Sequence, residues 1–203
     1  MAGPYTWDTK SASYRGARGR FVSAREVRDG LDGALEAASH RMRGLAGDLR
    51  ERRISLADWQ TSMAREVKNV HLYSAAAAKG GWNQMTPADY GRAGQRIRAE
   101  YAYLNARAVK IASGEQALDG SLERIAAMYG QAARGTYHAV EKLEQEIRGA
   151  DQERNVRGAR DSCAGCLAQT ARGWVGIGEL VPIGTRDCMT ACRCLIEYRN
   201  SSV

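Results

Sequence analysis

The chain holds three prolines, three histidines and a single phenylalanine among 203 residues. So few prolines leave long stretches free to run as helix, and together with the scarce phenylalanine and plentiful alanine and arginine this bias favours helices over a β-sandwich. Long apolar runs are also missing: no stretch approaches the ~18 residues that a membrane-spanning helix needs. The segment Met1-Ala-Gly-Pro-Tyr-Thr-Trp7 lacks the apolar core of a secretory signal, so the expected setting is a reducing cytoplasm. The scattered histidines supply neither a Ser/His/Asp constellation nor the paired Glu-x-x-His of a di-iron bundle. Gly176-Ile-Gly178 lacks the third glycine of a dinucleotide loop, and no Gly-Lys-Ser/Thr follows any glycine cluster. These absences point away from an enzyme and from a small-molecule substrate.

Hydrophobic residues are 44% of the chain, enough for a packed core. The net charge is +7, and it is unevenly placed. Residues 1–53 carry 11 basic and 7 acidic side chains, and residues 54–115 carry 8 and 5. Residues 116–160 balance at 7 and 7, and residues 161–203 at 4 and 4. The whole excess lies in the first 115 residues and fits either an acidic partner or plain solubility.

Residues 1–22 read as an extended N-terminal arm. Tyr5, Trp7 and Tyr14 sit among Arg15, Arg18 and Arg20, a mixture that can stack on a partner or on bases. The alternative is that the aromatics pin the arm to its own domain. Residues 23–150 read as an α-helical domain. Ser23-Ala-Arg-Glu26 is a capping box, followed by a stripe from Val27 through Leu31, Leu35 and Met42 to Leu49. Ser55-Leu-Ala-Asp58 starts a second helix ending near Gly80-Gly81, with His71 expected as a packed or surface residue. Thr86-Pro-Ala-Asp89 starts a third, ending at Ser113-Gly114. A fourth runs with Leu118, Leu122, Ile125, Tyr129, Ala132, Thr136, Val140, Leu143 and Ile147 on one side, to about Gly149. Four regular stripes with short joints predict a bundle of long helices, suited to packing inside the chain or between its copies. Residues 151–162 are polar and read as a linker to a different module.

That module, residues 163–203, contains all five cysteines: Cys163, Cys166, Cys188, Cys192 and Cys194. A C-x2-C turn offers two thiolates to one edge of a tetrahedral metal, and a second cysteine group completes it. In a strand from Cys192 to Tyr198, the Cys192 and Cys194 side chains share a face. The expected site is structural zinc on Cys163, Cys166, Cys188 and one of Cys192 or Cys194. Disulfides and unrelated free thiols are the alternatives. No His or Asp suggests an open catalytic position, and no βαβ setting suggests a thioredoxin-like motif. The module is a small zinc-ribbon-like unit with short β-strands, stabilised by metal where its own core is too small.

Gly19-Arg-Phe-Val-Ser23, Ser55-Leu-Ala-Asp-Trp-Gln60, Gly81-Trp-Asn-Gln-Met-Thr-Pro-Ala-Asp-Tyr-Gly91, Gln95-Arg-Ile-Arg-Ala-Glu-Tyr101 with Leu104, and the C-x2-C paired with terminal Cys192-Arg-Cys194 follow one another along the chain. In these segments and their order the chain resembles the minor head, or head-morphogenesis, proteins of tailed bacteriophages and related head and neck components. Many members of that family end in His-Pro-x-Cys-Arg-Cys. Here the stretch Cys188-Met-Thr-Ala-Cys192-Arg-Cys194 is one residue longer, with Cys in place of His. The resemblance implies a non-catalytic virion structural protein, assembled in the bacterial host cytoplasm. Its implied partners are portal or capsid proteins of the same virion and further copies of itself, with non-specific DNA contact on the basic half. A zinc-dependent nucleic-acid-binding protein is the alternative. The neutral cysteine module weighs against it, because a DNA-reading zinc unit carries uncompensated basic residues.

Overall fold

A computed structural model describes residues 5–202 apart from Thr9, Ala12 and Ala159, with the side chain of Ala24 also left out. The outer parts of the expected arm and module (residues 1–4 and Val203) therefore lie outside the described residues, as does Ala159 of the expected linker. The chain divides into two compact units, residues 1–133 and 134–203. No helix among the described residues is long and apolar enough to cross a membrane.

The first unit is built on four long helices: α1 (Ala24–Arg50), α2 (Leu56–Lys79), α3 (Pro87–Ala112) and the first half of α4 (Gly120–Ile147). The first three begin at the expected caps. Ser23 Oγ accepts the Glu26 N–H at 3.1 Å, and the Glu26 carboxylate accepts the Ser23 N–H at 2.9 Å. Ser55 with Asp58, and Thr86 with Asp89, close the same reciprocal pair. Each box satisfies two amide donors that a helix start leaves orphaned. At the far end of α2, Gly80 takes a left-handed φ of +100°, which glycine adopts without strain.

The stripes face inward much as expected. Val27, Leu31, Leu35, Ala38, Met42 and Leu49 of α1 are buried, as are Trp59, Met63, Val67 and Val70 of α2. α2 packs against both α1 and α3. Tyr101 of α3 donates its hydroxyl to the Ala64 carbonyl at 3.0 Å, and Arg41 of α1 pairs with Glu66 of α2 at 2.8 Å. The α4 stripe differs from the expectation. Leu118 precedes the helix and is exposed, as is Ile147, and the inward line includes Leu122, Ala126, Tyr129 and Ala133. Small residues on that line let α4 lie close to α1. At Gly130 an added Cβ would sit 2.6 Å from the backbone nitrogen of Ser39.

The expected extended arm is instead a small antiparallel sheet: β1 (Thr6–Asp8), β2 (Ser13–Arg15) and β3 (Phe21–Val22), in the order β1-β2-β3. The cross-strand partners Trp7 and Tyr14 meet edge to face, ring centroids 4.9 Å apart, which helps fix the register.

The second unit begins within α4 and carries β4 (Gln152–Val156), α5 (Ala164–Ala171), β5 (Val175–Gly176) and β6 (Leu195–Arg199). Its antiparallel sheet has the order β5-β4-β6. The expected 151–162 linker is thereby corrected. Its first half is the central strand, pairing Gln152 with Arg199 through to Val156 with Leu195.

Candidate metal centre

The C-x2-C segment turns directly into α5. Cys163 is the N-cap residue, and its sulfur accepts the Cys166 N–H at 3.4 Å. The turn thus holds Cys163 beside α5 and places Cys166 in the first helical turn. The loop before Cys188 is tied to this turn by Asp187, whose carboxylate accepts the Gly165 N–H at 2.8 Å. Cys192 closes a short 3-10 turn (Met189–Ala191), and Cys194 directly precedes β6. The strand starts at Leu195, later than expected, yet both cysteines are buried and their sulfurs lie together.

All five cysteines are free thiols, gathered in one place. The sulfurs of Cys163, Cys166 and Cys188 lie within 4.8 Å of one another, and so do those of Cys166, Cys192 and Cys194. Cys166 belongs to both trios. Its sulfur is 3.5 Å from that of Cys188 and 3.6 Å from that of Cys192. Four thiolates on a tetrahedral ion with bonds of ~2.3 Å have sulfur–sulfur edges of about 3.8 Å, so these separations suit a metal. No other trio of His, Cys, Asp or Glu among the described residues converges in this way.

The electrostatics divide the set. Amide hydrogen bonding from Cys166 lowers the Cys163 thiol to about 7. Burial pushes Cys188 up to about 12 and raises Cys166 further. At Cys194 burial opposes ionisation, but hydrogen bonds from Cys166, Asn155 and the Gly158 N–H outweigh it and lower the thiol. Cys166 and Cys188 therefore keep their protons at neutral pH unless a cation displaces them.

The surroundings hold the thiols in place. Cys166, Ile183, Cys192 and Cys194 form the buried core of the module, with Cys163, Cys188 and Ile196 packed against it. Asn155 of β4 donates to the Cys166 carbonyl at 3.3 Å and to Thr170 Oγ1 at 2.7 Å. Arg186 donates to Asn155 Oδ1 at 2.6 Å, and its Nη1 lies 3.8 Å from the Cys166 sulfur. Both residues were missed by sequence reasoning. Asn155 falls in the expected linker, and the only hint for Arg186 is its place two residues before Cys188.

The arm residues singled out from sequence lie elsewhere, in the first unit. Tyr5 donates its hydroxyl to the Glu26 carbonyl at 3.1 Å. Trp7 covers the end of α2, where a Cβ on Gly80 would come within 2.6 Å of its Cβ. Tyr14 packs on Trp7, Arg15 lies 3.6 Å from Asp8, and Arg20 pairs with Glu26 at 2.9 Å. Arg18 is exposed, with a left-handed φ of +59°. The aromatics expected on a free arm are spent on its own domain, as in the pinned alternative. His71 is buried, and burial followed by the Arg96 charge lowers its pKa to about 4, so it is neutral at pH 7.

No family model, curated protein or solved structure matches the chain.

Proposed function

We propose that the chain is a non-catalytic structural protein of a tailed-phage virion, a minor head or neck component whose C-terminal module is held by structural zinc. The observation that carries the metal reading is the convergence of five thiols from three separate segments onto Cys166. An all-thiolate set with short sulfur–sulfur edges suits zinc, and four protein ligands make a closed, structural site. Cys163, Cys166, Cys188 and Cys192 are the proposed ligands. Cys192 is favoured because its sulfur comes to 3.6 Å of Cys166. Cys194 is the fifth thiol, held by the Gly158 N–H and Asn155.

The virion reading rests on the resemblance carried by the segments from Gly19 to Cys194 and on the basic, capped bundle. The outer side of α3 exposes Arg92, Arg96, Arg98, Tyr103 and Lys110. Small residues between them (Ala99, Ala102 and Ala106) are exposed too, so an acidic surface can approach closely. In this reading that face meets packaged DNA or an acidic patch on portal or capsid protein, and copies of the chain assemble through the helical body. Nucleic-acid reading by the module is disfavoured because several of its arginines are engaged. Arg154 pairs with Glu197, Arg172 with Glu179, and Arg154 and Arg199 both lie over the Trp174 ring.

Mass spectrometry and immunogold labelling of purified particles test the virion reading: the protein is expected at a fixed copy number, and its absence from particles would sink the idea. Elemental analysis of the purified protein tests the metal reading, with one zinc per chain expected.

A further inference from the structure

Arg186 lies in the turn before Cys188 and is 4% exposed. Its Nε donates to the Val181 carbonyl at 2.8 Å, and its Nη1 to Asn155 Oδ1 at 2.6 Å. The same Nη1 lies 3.8 Å from the Cys166 sulfur, and Nη2 meets no acceptor among the described residues. Acids of the module have other partners: Glu197 pairs with Arg154, Glu179 with Arg172, and Asp187 accepts the Gly165 amide. Glu153 accepts the amides of Gly178 and Leu180. Arg186 is thus a buried guanidinium with no carboxylate partner among the described residues.

A guanidinium is charged at every accessible pH, and a buried charge without a counter-charge is strongly unfavourable. The anion within reach is the sulfur cluster. A divalent ion on four thiolates leaves a net double negative charge in a site that is partly buried. One fixed cation beside it offsets half of that charge, and the metal–thiolate centre in turn gives Arg186 the anion its position requires. Cys166 is the sulfur common to both trios, so a cation there acts on the centre whichever of Cys192 and Cys194 completes it.

We infer that Arg186 is the built-in counter-charge of the thiolate–metal centre, a positioning residue that strengthens metal binding through Cys166. This rests on the metal reading above. The competing role is a neutral clamp, in which the guanidinium only ties the Val181 turn to β4.

Charge and clamp separate in the full-length protein titrated with cobalt(II) in competition with a chelator. Arg186→Met removes the charge and the donors, Arg186→Gln removes the charge but keeps a donor toward Asn155, and Arg186→Lys keeps the charge but loses the planar fork. Wild type is expected to take one cobalt with the strong sulfur-to-metal band of tetrahedral thiolate ligation. The two neutral variants are expected to bind about 10–100-fold more weakly, the usual effect of losing an outer partner of a metal ligand. Their sulfur-to-metal band is expected at lower energy, because the sulfur electrons lose a stabilising cation. Arg186→Lys is expected to stay close to wild type in both readouts. Neutral variants with wild-type affinity and an unmoved band, or a lysine variant as weak as they are, would overturn the inference and leave the clamp. If a neutral variant loses its helical circular dichroism, the lysine variant decides alone: wild-type binding supports the counter-charge and weakened binding refutes it. Wild type that takes up neither cobalt nor zinc would instead overturn the metal reading, and this inference with it.

Discussion

Replacing Gly130 with Ala tests how closely α4 lies on α1, and two opposing effects set the sign. In an exposed helix interior the change stabilises by ~0.5–1 kcal/mol, because Ala restricts the unfolded chain and favours helix. At Gly130 the new Cβ would lie 2.6 Å from the Ser39 nitrogen and 2.9 Å from its Cα. The Ser39 side chain can rotate away, but these backbone atoms cannot. Carbon–carbon contacts are comfortable only near ~3.5–4.0 Å, so α1 and α4 must separate by roughly 1 Å. Overpacking of this kind costs about 1–3 kcal/mol. The separation also strains the 3.1 Å hydrogen bond from Gln131 to Ser39 Oγ. The steric term wins, with a net loss of about 1–2 kcal/mol. Gly33 and Gly44 of α1 have nothing within 4 Å of an added Cβ, so Ala there is expected to stabilise. Calorimetry should show Gly130→Ala lowering the transition by several degrees, at roughly 2–4 °C per kcal/mol, with the two controls raising it. A Gly130→Ala protein that melts above wild type would refute the close packing.

The remaining tests address titration, metal and charge. Buried His71 is held at about 4 against 6.5 in the unfolded chain, so the unfolded state alone takes up a proton as pH falls below 6.5. Its contribution is full above pH 6.5 and is lost as pH falls toward 4, up to about 3 kcal/mol in all. Urea midpoints at pH 7.5 and 4.5 should therefore differ more in wild type than in His71→Gln, and parallel pH slopes would count against this. Under chelation, residues 152–199 are expected to become protease-sensitive while the α1–α3 helices stay protected. Cys192→Ser should abolish metal uptake and Cys194→Ser should keep it, and the reverse result would exchange their assignments. Reversing the charge of Arg96, Arg98 and Lys110 together should move elution from a heparin column to clearly lower salt with helicity unchanged. An unaltered elution would remove α3 as the surface for an acidic partner.

The helical body was legible because its signals are local. A capping box spans four residues, and the Val27–Leu49 stripe needs only the period of one helix to be read. The cysteine cluster was legible for a different reason: thiols at C-x2-C spacing have few other uses, so the pattern carries its chemistry with it. The arm was harder. Its hairpin depends on Trp7 meeting Tyr14 and on the fit of Trp7 against Gly80, pairings between residues apart in sequence that no local period reveals. On α4 the buried line takes in Ala126 and Ala133, which an apolar stripe drawn from Leu118 to Ile147 does not mark. Close helix contact depends on what is absent from a side chain as much as on what is present.

The segment 151–162 shows most clearly where composition misleads. Gln152-Glu-Arg-Asn-Val156 has the polarity of a linker, yet Glu153 and Asn155 are 3% exposed. They alternate with Gln152, Arg154 and Val156, so the strand period is present but carried by polar residues at the buried positions. Burial is tolerable because each polar group is satisfied. Glu153 accepts the amides of Gly178 and Leu180, both at 2.9 Å, and so shapes the turn after β5. Asn155 spends its amide on the Cys166 carbonyl and Thr170, and its oxygen on Arg186. The strand is therefore polar because it organises the loops that bring the thiols together. In a module whose buried core is largely cysteine, apolar side chains at these positions would pack but could not hold Arg186 or the Gly176–Leu180 turn. A strand that serves a metal site in this way is legible only once the partners of its side chains are known.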